Sequence, residues 1–574
     1  MTRQLAAWPF IPVVALAFVS AGCTSSPSGS SSSAGSGRSG SGDAPLWRVD
    51  AGPRTEPVPL EVYQHVHYVS QATGSDDRGD GSRTRPWQTL AHALAQTRAA
   101  GPSERHAVLV AAGTYRGATF VMRPHVDLFG GFDAGRWRRD IAAHPTILDG
   151  GEARRVLVGA DRATLDGFVV QNGAVRGHGG ALLLERVATT VTNNVFTRNR
   201  TLKPEPWAPA LMHETAHDGG AIGCRGCSAR IEHNLFVDNR TEIGRGGALA
   251  CDNETAPRAS AAPRVRRNVF LRNVASAGAD PMRSGDGGAL AFNGYCQGTI
   301  ADNIVIENEA ASVNDGGGLF LSLWSAPIVA DNVIAGNTSG DDAGGIFVGG
   351  QKHHYGTPLD PVPPAGAFFV RVERNVIVGN RNGSPTSGAL RATMMTRGVF
   401  QENVTAENPG GVYAQRSELL FLRNIFVGDA RYEDKRREAP GPTVFRDNII
   451  TGTRLWEAPV TEAGTCGTPS FVDDGFGIAA AAAEDIAFEP DRQLTRVRTP
   501  GARYAPNALL RRVVQAGDRW SVVYAHDADT LWLWGDLRTA RTFVVKPSYR
   551  VDAGSPCVDR QAADPAARGT RGAS

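Results

Sequence analysis

Asn194-Val-Phe-Thr-Arg-Asn199 is answered by Asn234-Leu-Phe-Val-Asp-Asn239, and the phrase returns from Asn268, Asn303, Asn332, Asn375, Asn403, Asn424 and Asn448. Each copy is an Asn, two or three apolar residues and a second Asn five positions on, replaced only in the last two by Asp429 and Thr453. A second marker lies between the copies: Gly179-Gly180, Gly219-Gly220, Gly246-Gly247, Gly287-Gly288, Gly316-Gly317, Gly344-Gly345 and Gly410-Gly411, with a lone Gly388, each opening another apolar run. Where nothing is inserted the unit is about 27 to 29 residues long.

Self-similarity at that period is the mark of a solenoid. The runs are four to six residues, rich in Val, Ile and Phe, and end at Gly or Asn, so they read as short strands. Several strands per turn without an intervening helix specify an all-β, right-handed parallel β-helix in which each coil pairs with its neighbours. Asn is expected to take the left-handed backbone of one corner and to bond through its amide to the Asn one coil on. Gly does the same steric work at the other corner. Two residues after the second Gly stand Leu182, Ile222, Leu249, Leu290, Leu319, Phe347 and Leu390, and four after it Leu184, Cys224, Cys251, Phe292 and Leu321. Period two with apolar residues at both positions predicts an inward column, with Gly223, Ala250 and Ala291 outward.

A chain of 574 residues would ordinarily divide into several domains, but a solenoid lengthens without thickening its core. Formal net charge is +2 and charged residues are 21%, which leaves no field suited to nucleic acid. Arg3, the apolar run from Leu5 to Val19 and Ser20-Ala21-Gly22-Cys23 read as an export signal. The small residues before Cys23 resemble a bacterial lipobox, with Ser20 where Leu is usual; the resemblance implies lipidation of Cys23, a membrane anchor and an outer-membrane or cell-surface location. Residues 1–23 are thus signal, 24–64 a Ser/Gly-rich tether and linker, 65–475 the β-helix, and 476–574 a β-rich C-terminal cap with a disordered tail. A helix over roughly Thr89 to Thr97, capped by Thr89 and striped with Leu90, Ala93 and Leu94, is expected to cover the open first coil.

Tyr68-Val-Ser, Gly74-Ser-Asp, Pro86-Trp87-Gln-Thr-Leu, Leu128-Phe-Gly-Gly-Phe-Asp133, Thr146-Ile-Leu-Asp-Gly150 and Thr164-Leu-Asp-Gly-Phe-Val-Val170 resemble the pectin-lyase-like β-helix superfamily. With the repeats, the resemblance covers roughly residues 65 to 475 and implies an extracellular β-helix. It leaves catalysis open, because that superfamily holds lyases, hydrolases and adhesins alike.

Sites are sought where the repeat is interrupted, at about 200–217, 252–263, 274–285 and 350–366. His213-Glu-Thr-Ala-His217 fits His-Glu-x-x-His, so His213, Glu214 and His217 are candidate zinc ligands, although the third His of the longer pattern falls on Gly223. Before the Gly-Gly steps runs a column of His178, Asp218, Arg245, Asp286 and Asp315, with Asp342 one place earlier. At ~4.8 Å per coil, Arg245 falls between Asp218 and Asp286, and Asp286 beside Asp315. Such carboxylates can hold Ca²⁺, supply an acid and base for glycan cleavage, or serve as plain turn residues. Trp207, Tyr295 and Tyr355 are candidate sugar-stacking rings. Besides Cys23 there are six Cys. Cys224 and Cys251, in phase on adjacent coils, are expected to bond, as are Cys466 and Cys557.

The reading that follows is a monomeric, lipid-anchored surface β-helix, needing no cofactor, whose flank binds glycan without cleaving it. The alternative is a polysaccharide lyase or glycoside hydrolase, and a third is a purely structural envelope component. Two carboxylates converging in one groove separate the enzyme from the binder.

Overall fold

The computed structural model describes residues 46–97, 100–203, 205, 217–253, 262–277, 285–350, 368–384, 386–434, 439–457, 460–478 and 482–560. Among them are four parallel sheets, of fourteen, twelve, twelve and seven strands. Successive coils add short strands to the three longer sheets, and the middle coils add one to the seven-strand sheet as well, so the chain spirals as a right-handed parallel β-helix. In those middle coils the fourteen-strand sheet, the asparagine-led sheet, the seven-strand corner sheet and the glycine-led sheet follow one another. The core is the tube they enclose. Phe196, Phe236 and Phe270 stack in register there, with centroids 5.0 and 4.7 Å apart.

The repeated Asn residues stand in single file. Asn234 Nδ2 donates to Asn268 Oδ1 (3.0 Å), Asn268 to Asn303 (3.1 Å) and Asn303 to Asn332 (2.9 Å), and the file runs from Asn194 to Asn448. The second Asn of the phrase forms a parallel file from Asn199 to Asn408. All these amides are buried and satisfied, which is what lets a polar residue sit at the tube wall. The left-handed corner, however, belongs to the residue before each Asn: Asn193, His233, Arg267, Asp302, Asp331, Arg374, Glu402, Arg423 and Asp447 all have φ near +50°. That position, part-buried in most coils, takes many side chains, whereas the ladder position demands the amide.

Helix α1 (Leu90–Gln96) covers the first coil, with Thr89 Oγ1 accepting the His92 N–H (3.1 Å) and Leu90, Ala93 and Leu94 buried. One inward assignment fails. Phe347 pairs with Phe320 and faces outward, while Ile346 continues the column of Leu319. In this coil Ala343, at φ +55°, occupies the corner that Gly316 takes in its neighbour, so the Gly-Gly marker lies one residue late and Asp342 is in register after all.

The asparagine-led strands are apolar on both faces. Phe236 and Phe270 point inward, whereas Leu235, Val237, Val269, Leu271, Ile304, Ile306 and Val333 point outward and are buried too. An antiparallel eight-stranded sheet covers them, built from 476–478, 486–489, 494–498, 513–516, 519–526, 530–534 and 543–545, with Trp47 and Arg48 adding the eighth strand. The C-terminal part thus lies along the flank of the spiral, and the chain from Leu46 onward belongs to the body although it was assigned to the linker. Trp520 lies across Gly336 and Gly379, where a Cβ would meet its ring at 2.4 and 2.2 Å. Arg519 pairs with Glu307 and Lys546 with Glu407 at the same interface.

Disulfides join Cys466 to Cys557, Cys251 to Cys296 and Cys224 to Cys227. Cys224 and Cys251 are neighbours in register, with sulfurs 4.0 Å apart, but they do not bond to each other. Side chains in register on parallel strands point the same way, whereas the turn at Gly226 (φ +59°) carries Cys227 back over Cys224.

Candidate functional site

The glycine-led sheet presents its outer face between two corners, and each corner carries a different chemistry. At the corner entering the sheet, the first Gly has positive φ (+74° at Gly219, +76° at Gly287), and the second touches the next coil so closely that a Cβ on Gly220 would lie 2.1 Å from the Gly247 carbonyl. Backbone bonds from Gly219, Gly246, Gly287 and Gly316 to the carbonyls of Arg245, Asp286, Asp315 and Asp342, each 2.9 Å, fix the stacking of the residues just before them. The file predicted from spacing is therefore real in order: His178, Asp218, Arg245, Asp286, Asp315, Asp342.

Its members are not equivalent. Asp218 accepts the Arg245 backbone N–H at 2.8 Å and the guanidinium at 2.9 Å, both groups being buried. Burial opposes ionisation of Asp218, yet Arg245 outweighs it and holds the carboxyl below its usual range. His178 Nδ1 accepts the Asp218 N–H at 3.2 Å, and burial holds this imidazole neutral-leaning. Asp286 accepts the Asp315 N–H at 3.0 Å, and Asp315 in turn accepts the Asp342 N–H at 3.0 Å. Burial pushes Asp286 up to about 7; Asp315 is raised well above its ordinary value by burial and by the carboxylates of Asp286 and Asp342 on either side. Asp342 is also raised by burial, although it meets Arg391 at 3.2 Å. One carboxyl held below its usual range and two pushed above it within a few coils is the kind of division that acid–base chemistry uses. One oxygen of Asp286 and one of Asp315 are at the same time committed to capping the next coil, as the turn reading expects.

Asp315, Asp341 and Asp342 each bring a carboxylate oxygen within 4.8 Å of the others, a donor set of the kind hard divalent cations such as Ca²⁺ take. This places the cation candidate one coil further along than Asp286. His213 and Glu214 lie outside the described residues, as do Trp207, Tyr355 and Cys23. Of the zinc pattern, His217 is seen with Nδ1 2.6 Å from the Leu202 carbonyl and its ring 6.3 Å from that of His178.

At the corner leaving the sheet, the turns of three coils use two consecutive left-handed residues: Gly294–Tyr295, Leu323–Trp324 and Met394–Met395. Five of the six carry side chains, at a cost of about 1–2 kcal/mol each. These turns throw Tyr295 and Trp324 against Phe368, with centroids 5.3 and 6.2 Å apart, and leave Trp324 Nε1 buried without a hydrogen-bond partner among the described residues. Of the three rings expected to stack on sugars, Tyr295 alone falls within the described residues, and it stands half-buried in this cluster. Between the corners the strands carry Ala250, Ala291, Phe320 and Phe347 in one outward row, the two rings stacked at 5.1 Å. Further along that row Tyr413 is sandwiched between the guanidinia of Arg391 (4.0 Å) and Arg431 (5.1 Å). A second outward row holds Asp252, Asn293, Thr393, Gln415 and Glu433.

Sequence spacing found the carboxylate file but missed Trp324, Phe368, Tyr413 and Arg391. The signal for Phe320 and Tyr413 was available, since a large ring stands where sister coils have Gly223, Ala250 and Ala291. For Trp324 and Phe368 there was none, because both lie in turns whose shape no repeat dictates.

Comparison with solved structures finds a complex of XylC with xylose (10% identity, TM-score 0.41, covering 84% of this chain and 96% of that one). It also finds a GH136 lacto-N-biosidase from Eubacterium ramulus (13%, 0.36, 70% and 68%). A third is the tailspike protein of E. coli bacteriophage HK620 in complex with pentasaccharide (11%, 0.26, 80% and 88%). Comparison with curated proteins finds no match. Residues 72–289 match a family described as a protein of unknown function, DUF1565, and in architecture the chain is a right-handed parallel β-helix.

Proposed function

We propose that this protein is an exported surface lipoprotein, anchored through Cys23, that binds glycan along the outer face of its glycine-led sheet. The observation that carries the reading is the pairing of two walls on one face. Rings of Tyr295 and Phe368 stand at one corner, and the Asp218–Arg245–Asp286–Asp315–Asp342 file with Arg391 at the other. Sugars present C–H faces that stack on rings and hydroxyls that bond to carboxylate, amide and guanidinium groups. A monomer suffices, since both walls come from one chain, and Ca²⁺ at Asp315, Asp341 and Asp342 would add a ligand for hydroxyls or uronates.

The split protonation of Asp218 against Asp286 and Asp315 favours a second reading, cleavage of the bound glycan. One experiment addresses both. Acidic and neutral polysaccharides are screened for binding and for cleavage, with Ca²⁺ and with chelator. Saturable binding without products supports the binder; products lost in Asp286→Asn and Asp315→Asn establish the enzyme; neither binding nor cleavage across the screen sinks both. The anchor is tested separately, by fatty-acid labelling of the expressed protein and its release from membranes in Cys23→Ala.

A further inference from the structure

On the opposite flank, the first coils of the asparagine-led sheet and one part of the C-terminal sheet line a slot between them. Ile147, Val169, Val195 and Leu235 are register partners on successive strands, so their outward side chains form a single apolar file over four coils, roughly 14 Å at ~4.8 Å per coil. Over this file Leu494, Tyr524 and Trp534 lean from the C-terminal sheet, and Pro53 and Ile141 close the side. The result is a cavity of about 340 Å³, within the range of small-molecule sites.

Two features distinguish it from a packing fault. Trp534 is 3% exposed and lines the cavity, yet its Nε1–H has no hydrogen-bond partner among the described residues. Such a buried donor is costly to leave unmet. At the polar rim, where Asn193, Thr197, Asp491, Arg492 and Gln493 also line the cavity, Arg198 bonds to the amide oxygens of Asn172 (3.2 Å) and Gln171 (2.9 Å), and no carboxylate among the described residues forms an ion pair with it.

We propose that this slot binds a single-chain aliphatic amphiphile of medium length, its chain laid along Ile147, Val169, Val195 and Leu235 and its head offering an oxygen acceptor. The elongated file selects a chain over a compact ring system. The indole N–H and the Arg198 rim select an oxygen-bearing head, such as a free fatty acid or the acyl ester of a lipid.

The test is calorimetric titration of the purified, delipidated protein with dodecanoate and, in parallel, with its monoglyceride. Saturable binding of one equivalent with a micromolar Kd is expected, weakened at least tenfold in Val169→Trp, which fills the slot from a surface position, and several-fold in Trp534→Phe. Val195→Phe replaces Val169→Trp if thermal melting shows that the latter disturbs folding. Loss confined to dodecanoate in Arg198→Gln assigns the free acid, and equal binding of both ligands in that variant assigns the ester. Failure of both ligands to bind saturably, or binding indifferent to the filling variants, overturns the proposal.

Discussion

The asparagine-led and glycine-led strands alternate along one chain, yet their outer faces are built for different ends. Outside the first stand Leu235, Val269, Ile304, Val333 and Ile425, as apolar as the core and sealed under Trp520, Val522, Tyr524 and Trp534. Outside the second stand Gly223, Ala250, Ala291, Phe320 and Tyr413, bordered by carboxylates, guanidinia and strained aromatic turns. A continuous apolar outer row announces a partner, and here the same chain supplies it. A mixed row with charged borders keeps its options for a polar ligand. Ion pairs follow the division. Glu307 and Glu407 lock the C-terminal sheet through Arg519 and Lys546, whereas Asp286 and Asp315 stand next to each other in the file and form no ion pair with the described residues.

The contrast is broken most severely at Trp520. Trp520→Ala removes a buried ring from the sealed face and is expected to cost about 3–5 kcal/mol, read by urea unfolding followed on both sheets. A cost under ~1 kcal/mol would mean that the C-terminal sheet is not held by this face. Next comes Glu307→Gln, which leaves the Arg519 guanidinium half-matched and should cost about 1.5–3 kcal/mol, measurable by the same method.

On the glycine-led face a change should stabilise instead. Asp286 has a folded-state value of about 7 against an ordinary 3.8. Between these values the native protein keeps a proton that the unfolded chain has released, so stability falls as pH rises from about 4 to 7 and levels off above. Asp286→Asn should reduce that slope and gain on the order of 1 kcal/mol at pH 8. An unchanged pH–stability profile would show that the carboxyl ionises freely. The smallest effect is expected from Tyr295→Ala, which should weaken glycan binding by about 0.5–1.5 kcal/mol, roughly two- to thirteenfold, with little change in melting temperature. Equal affinity in the variant would remove this corner from the site.

Much of this was legible because the spiral is one-dimensional. Asn234, Asn268, Asn303 and Asn332 must recur at one point of each coil if their amides are to bond, and the Asp218–Asp342 file follows from the same register. Where register slips by one residue, spacing misleads, as at Ala343, whose left-handed corner turned Phe347 outward. The pairing of Cys224 with Cys227 was hidden for a similar reason, since it depends on a turn and not on the repeat.

By itself the sequence determined the coil, its core columns and the order of the charged file, because each coil repeats a local pattern and pairs with the next. Only the tertiary structure decided that residues 486–545 would lie against strands some two hundred positions earlier, that Trp324 and Phe368 would meet, and that burial would push the Asp286 carboxyl upward. Those outcomes depend on burial and on contacts between distant segments, which no local pattern encodes.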